Sequence, residues 1–135
     1  MLFLDTSALL KRYVDEDGTA VVLRRMADDV DWVASELALA EAEITLCHLG
    51  FEPRDGARLR DDLRADWARF LVVPVDGACL AEAASIGCEH QIRTLDAIHV
   101  AAARRLPTPT TFLTFDRGQA VVAQALDLEI AAGSP

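Results

Sequence analysis

The sequence predicts an α/β protein with a central, mainly parallel sheet of four to five strands, covered by helices on both faces. Three observations predict it. Leu2-Phe3-Leu4, Trp32-Val33-Ala34, Leu71 to Val75 and Phe112-Leu113-Thr114-Phe115 are short, apolar runs of the length and texture of strands buried on both sides. Long stretches with helical spacing separate them, as the crossovers of a parallel sheet require. Two of the runs lead directly into an acid, Asp5 and Asp116, and open α/β sheets carry their chemistry beyond the carboxyl ends of their strands.

The elements follow in order. After Leu2–Leu4, Thr6 or Ser7 is placed to cap a helix whose apolar face is Ala8, Leu9, Leu10 and Tyr13. Asp15-Glu16-Asp17-Gly18 is a turn, and Thr19 to Asp28 a second helix with Val21, Val22 and Met26 inward. Behind Trp32–Ala34, Ser35 is the expected cap of a helix to Leu49, stopped by Gly50 as a left-handed terminal residue. That helix is apolar nearly all round, so its charges need reasons: the positive helix N-terminus accounts for Glu36, but not for Glu41 or Glu43.

Pro53 opens a helix to about Phe70 with the stripe Leu59, Leu63, Trp67 and Phe70 on one side and solvated charges on the other. Asp76 caps a helix from the end of the third strand to His90. Thr94 opens the next, through Arg105, which Pro107 stops. Gly118 to Ala125 is the last helix, Leu128 to Ala131 a final edge strand, and Gly133-Ser134-Pro135 a frayed end. Residues 1–135 are expected to form one domain, a length that buries a core without staples.

Composition narrows the function classes. Hydrophobic content of 52% and charged content of 26% are those of an ordinary folded protein. No apolar run approaches the ~20 residues of a membrane helix, and no signal-peptide pattern opens the chain, so a cytoplasmic protein is expected. Cys47, Cys79 and Cys88 have no metal-ligand spacing and read as small core residues of a protein from a reducing compartment. The net charge of −9 argues against binding by bulk phosphate attraction, though arginines cluster at 24–25, 58–64 and 104–105.

The chemistry lies in the acids. Glu41 and Glu43 both sit among apolar helical neighbours, where a carboxylate is costly unless paired or metal-bound; spacing does not choose between them. Asp96 stands in the first turn of its helix, where dipole compensation competes with a functional role. His99, three residues on, is taken as a hydrogen-bonded, half-buried residue. Oxygen-only donors with no cluster of His or Cys suit a hard cation, Mg²⁺ or Mn²⁺, and metal-assisted phosphodiester hydrolysis. Without that cation such acids repel one another. There is no Gly-rich phosphate loop and no G-x-S-x-G elbow, which disfavours an NTPase and a serine hydrolase.

Four blocks carry a family resemblance: Asp5-Thr6-Ser7-Ala8-Leu9-Leu10-Lys11-Arg12-Tyr13, Ser35 to Glu41, Arg93 to Ala101, and Leu113-Thr114-Phe115-Asp116-Arg117. Together they resemble the motif blocks of PIN-domain nucleases, most of all VapC-type toxins of bacterial toxin–antitoxin pairs. The resemblance implies a PIN-like three-layer α/β/α sandwich and a Mg²⁺- or Mn²⁺-dependent endoribonuclease. It also implies an RNA substrate, a homodimer and inhibition by a VapB-type antitoxin. Carried over by position, the catalytic and metal-binding acids are Asp5, Glu41, Asp96 and Asp116, with Thr6, Ser7 and Thr114 supporting them. The second block thereby selects Glu41 over Glu43. One departure is Asp127, which stands where a glycine often precedes the last strand. A PIN nuclease of RNA processing and a non-catalytic binding module are the alternatives; the presence of all four acids disfavours the second.

Overall fold

The computed structural model describes residues 1–131. The chain runs β1 (Leu2–Leu4), α1 (Thr6–Leu10), α2 (Thr19–Asp28), β2 (Trp32–Ser35), α3 (Leu37–His48), α4 (Pro53–Trp67), β3 (Leu71–Val73), α5 (Gly77–His90), α6 (Thr94–Arg104), β4 (Thr111–Leu113), α7 (Arg117–Ala125) and β5 (Glu129–Ile130). Gly133 to Pro135, expected to fray, lie outside the described residues.

All five strands pair in parallel, in the order β3-β2-β1-β4-β5. The chain steps outward from β1 through β2 to β3, then crosses back to lay β4 on the other side of β1. The switch point of the topology therefore lies between β1 and β4, with Leu4 in register with Leu113. The residues just beyond, Asp5 and Thr114, open the crevice where such sheets bind their ligands.

Successive strand side chains point to opposite faces, and the core divides accordingly. Leu2, Leu4, Trp32, Ala34 and Leu113 pack with Leu9, Val22, Met26, Leu46, Leu63 and Phe70 on the α1–α4 side. Phe3, Val33, Val73 and Phe112 pack with Cys79, Ile86, Val100, Val122 and the alanines of α6 on the other. This is the expected three-layer α/β/α sandwich. Phe3 and Phe112 stack at 5.3 Å across β1 and β4, a pairing worth about 0.5–1.5 kcal/mol beyond burial. The small side chains Ala97, Ala101, Ala102 and Ala103 are all buried and let α6 lie close to the sheet.

Several local expectations shift. Asp5, rather than Thr6 or Ser7, caps α1, its carboxylate accepting from the Ala8 N–H. Ser35 ends β2 instead of capping α3, and Glu36 binds the Val75 N–H through Oε2 rather than its own helix. Cys79 is buried, but Cys47 and Cys88 are exposed. Gly50 has the expected left-handed backbone (φ 76°). Gly18 has φ 96°, and a Cβ there would stand 2.6 Å from the Phe115 ring, so glycine is required twice over. Asp127, the departure noted in sequence, adopts φ 63° to enter β5, the conformation for which glycine is the cheaper choice. Among the described residues no helix is long and apolar enough to cross a membrane.

Candidate active site

At the end of β1 the chain turns directly into α1, which leaves Asp5 1% exposed beneath the first helical turn. Its Oδ1 accepts from Ser7 Oγ at 2.7 Å and the Ala8 N–H at 2.9 Å; its Oδ2 accepts from Thr114 Oγ1 at 2.6 Å. Burial is the strongest influence on this carboxyl and raises its pKa above the ordinary 3.8, outweighing the three sets of hydrogen bonds. A carboxylate so placed is short of positive charge.

Thr114, one residue past β4, also accepts the Asp116 N–H at 3.0 Å. One hydroxyl thus ties the acid after β1 to the loop carrying the acid after β4. Asp116 caps α7 through Oδ1, which accepts from the Gln119 N–H at 2.9 Å. The Gln119 side chain donates to Asp96 Oδ1 at 2.9 Å, joining α7 to α6. Arg93 completes the link: its Nε lies 3.1 Å from Asp96 Oδ2 and its Nη2 3.9 Å from Asp116 Oδ2.

Glu41 enters from α3. Its Oε1 accepts from Thr6 Oγ1 at 2.7 Å and contacts His99 Nε2 at 2.6 Å. Because a carboxylate only accepts, the Nε2 proton points to Glu41, and the His99 Nδ1 meets the Ser35 hydroxyl at 3.0 Å. Burial pushes the Glu41 pKa upward. The hydrogen bonds from His99 and Thr6, with the charges of His99 and Arg93, more than offset it and hold the group below the usual carboxylate range. Glu43, two residues on, faces away and pairs with Arg64 of α4.

Hydrogen bonds therefore link the sequence-predicted acids into two strings at one end of the sheet: Asp5–Thr114–Asp116–Gln119–Asp96, and Glu41–Thr6, with Thr6 adjoining Asp5. Thr6, Ser7 and Thr114 all bond acids. Arg93, Gln119 and Ser35 are the members that sequence reasoning missed. Arg93 precedes Asp96 by three residues and Gln119 follows Asp116 by three, a helical spacing that is the available signal. His99 is more buried than expected, at 1% exposure.

Among the described residues no three His, Cys, Asp or Glu side chains are grouped so as to hold a metal ion. The donor chemistry nonetheless fits a hard divalent cation: every candidate ligand is a carboxylate oxygen. The Gln119 Oε1, beside Asp96, is a buried acceptor with no hydrogen-bond partner among the described residues, an atom that a water of a hydrated cation would satisfy. A cleft of about 380 Å³ lined by Glu41, Arg93, Thr94, Leu95 and Asp96 provides the opening.

Comparison with known proteins agrees with this fold. Residues 2–125 match the model of the PIN domain family. The fold is similar to that of FitAcB from Neisseria gonorrhoeae, with 21% identity over 96% of each chain and a TM-score of 0.76. It is similar also to VapC20 of Mycobacterium tuberculosis, a Sarcin-Ricin loop cleaving toxin, at 17% identity over 90% of this chain and 94% of that one, TM-score 0.74. VapBC2 of Rickettsia felis, bound to a DNA fragment from its promoter, aligns at 14% identity over 97% and 98%, TM-score 0.69. No curated protein matches the sequence.

Proposed function

Because the chain belongs to the PIN domain family, we propose that it is a divalent-metal-dependent endoribonuclease of the toxin kind, silenced by a cognate antitoxin. The observation that carries this reading is the hydrogen-bonded string from Asp5 through Thr114, Asp116 and Gln119 to Asp96 at the β1/β4 switch point, with Glu41 bonded to Thr6, the residue after Asp5. These four would hold Mg²⁺ or Mn²⁺. Bound there, the ion would polarise the scissile phosphodiester and lower the pKa of the attacking water.

The protein's own groups perform the positioning. Ser7 and Thr114 fix both oxygens of Asp5, so its orientation is set before any ligand arrives. Thr6 and His99 hold Glu41 by one oxygen, and Ser35 in turn orients the His99 ring. Gln119 keeps Asp96 and Asp116 in a fixed relation across two helices. The serines that meet a base here are committed to positioning, the fully buried Ser35 to His99 and Ser7 to Asp5, which leaves activated water as the nucleophile of this reading.

RNA, rather than DNA, is supported by the similarity to a toxin that cleaves the Sarcin-Ricin loop, and unpaired loops are where RNA sequence is most readily read. The antitoxin is supported by similarity to VapBC2, and an acidic chain of net charge −9 suits an inhibitor that brings a cation to the cleft. A cytoplasmic homodimer completes the proposal.

The test is cleavage of loop-containing RNA by the purified protein. Activity should vanish in EDTA, return with Mn²⁺, and be absent from Asp116→Asn in either condition. Undiminished cleavage in EDTA would overturn the metal mechanism. Toxicity unchanged by co-expression of the neighbouring gene would move the protein to RNA processing.

A further inference from the structure

Arg93 has no part in the proposed chemistry, yet its placement differs from that of the other paired arginines. Arg104 and Arg105 each bind one acid, Glu82 and Asp76, at the rim of α5. Arg93 straddles two acids from separate elements, Asp96 of α6 and Asp116 ahead of α7. Its charge acts on a third, Glu41, across the cleft whose wall it forms.

A pairing with Asp96 alone would be an ordinary contact within one helical turn, worth little at an exposed site. Straddling is different, because one guanidinium then serves two acids carried by separate elements. Mutual repulsion of those acids is what the sequence predicts for the metal-free state, and Arg93 supplies a positive charge between two of them. At 82% exposure the side chain is also free to swing outward without unpacking anything.

We propose that Arg93 is the cleft's own counterion. Its guanidinium takes the cationic position between Asp96 and Asp116 in the metal-free protein and gives way when a divalent ion binds. The apparent affinity for the ion is then lower than the acids alone would give, because each binding event must first displace the arginine. The device sets a threshold: the site fills only when the free ion outcompetes a tethered cation. It rests on the metal-dependent reading above.

The experiment measures Mn²⁺ affinity directly, from the free-ion paramagnetic resonance signal, in wild type, Arg93→Gln, Arg93→Lys and Arg58→Gln. Arg58 lies on the exposed face of α4 with Asp55 and controls for net charge. Removing the counterion should tighten Mn²⁺ binding about three- to tenfold, the scale of one or two exposed ion pairs. Arg93→Lys keeps the charge but loses the fork that spans both acids, and its affinity should fall between those of wild type and Arg93→Gln. Arg58→Gln should not change it. In EDTA, Arg93→Gln should melt below wild type, and saturating Mn²⁺ should erase that difference.

If wild type binds Mn²⁺ and Arg93→Gln binds it equally or more weakly, the counterion role is wrong and the metal reading stands. An equal gain in Arg58→Gln would assign the effect to net charge and overturn the proposal as well. If neither wild type nor Arg93→Gln binds Mn²⁺, both readings fall. Binding by Arg93→Gln alone would support the counterion in its strongest form.

Discussion

The Thr114 hydroxyl is a sharp point at which to test the site, because Thr114→Val removes it while leaving side-chain shape almost unchanged. In the native protein it donates at 2.6 Å to Asp5 Oδ2 and accepts the Asp116 N–H at 3.0 Å. The first is a buried hydrogen bond to a charged group, worth about 1.5–3 kcal/mol; the second leaves a backbone donor unpaired, at about 1–3 kcal/mol. Partial relaxation makes the sum roughly 2–5 kcal/mol, or on the order of 8–15 °C in melting temperature for a domain of this size. The pH dependence is the discriminating feature. Burial holds the folded pKa of Asp5 above 3.8, so ionised Asp5 already costs stability above that value, and the cost is relieved as pH falls through the folded pKa. Removing a bond that favours the ionised form raises the folded pKa further. The part of the Thr114→Val penalty that belongs to the Asp5 bond should therefore shrink as pH falls through the folded pKa of Asp5, leaving the part that belongs to the Asp116 N–H. Urea unfolding of the two proteins across that range measures it. A penalty that is constant with pH, or that grows toward acid, would show that Thr114 does not bear on the Asp5 charge.

Two further outcomes follow from the α3 side of the site. His99→Phe should fill the space yet leave Glu41 and Ser35 without their shared partner, lowering Mn²⁺ affinity about 10–100-fold; His99→Gln, which retains a donor, should recover part of it. Titration with Mn²⁺ reads this, and an unchanged affinity in His99→Phe would make the histidine a packing residue only. Glu41→Gln should abolish RNA cleavage, whereas Glu43→Gln, which loses only its contact with exposed Arg64, should cleave like wild type. The reverse ranking in the same assay would move the site to Glu43.

What the sequence disclosed and what it concealed divide along physical lines. Asp5 and Asp116 were legible because a buried parallel strand has a distinctive texture and its carboxyl end has a fixed meaning; the acids needed only to follow it. The pairing of β1 with β4, which brings them together, depends on strand order, and nothing local encodes it. Glu41 and Glu43 were indistinguishable because α3 is apolar on nearly every side, so the helical wheel has no polar face to orient it. In the structure the two diverge by what approaches them: α1 and α6 bring Thr6 and His99 to one, α4 brings Arg64 to the other. The cap before α3 failed for a related reason. Ser35 has the right chemistry for a cap, but its hydroxyl faces His99 from within the sheet, and a buried imidazole is the stronger claimant.

Asp5 shows why a capping role and a functional role were never exclusive. Capping α1 occupies Oδ1 with the Ala8 N–H, and the same geometry buries the carboxylate deeply enough that burial outweighs its hydrogen bonds. A cap on an exposed helix would be satisfied by that bond and would contribute stability. Here the cap is bought at the expense of desolvation, so the residue that starts the helix is also the one most improved by a cation. Arg93 is engaged with Asp96 and Asp116, whereas the charge that acts on Asp5 is that of His99, and it does not offset burial. The internal counterion therefore neutralises the outer acids and leaves the innermost one short of charge. That asymmetry gives a divalent ion something to gain over the arginine it would replace.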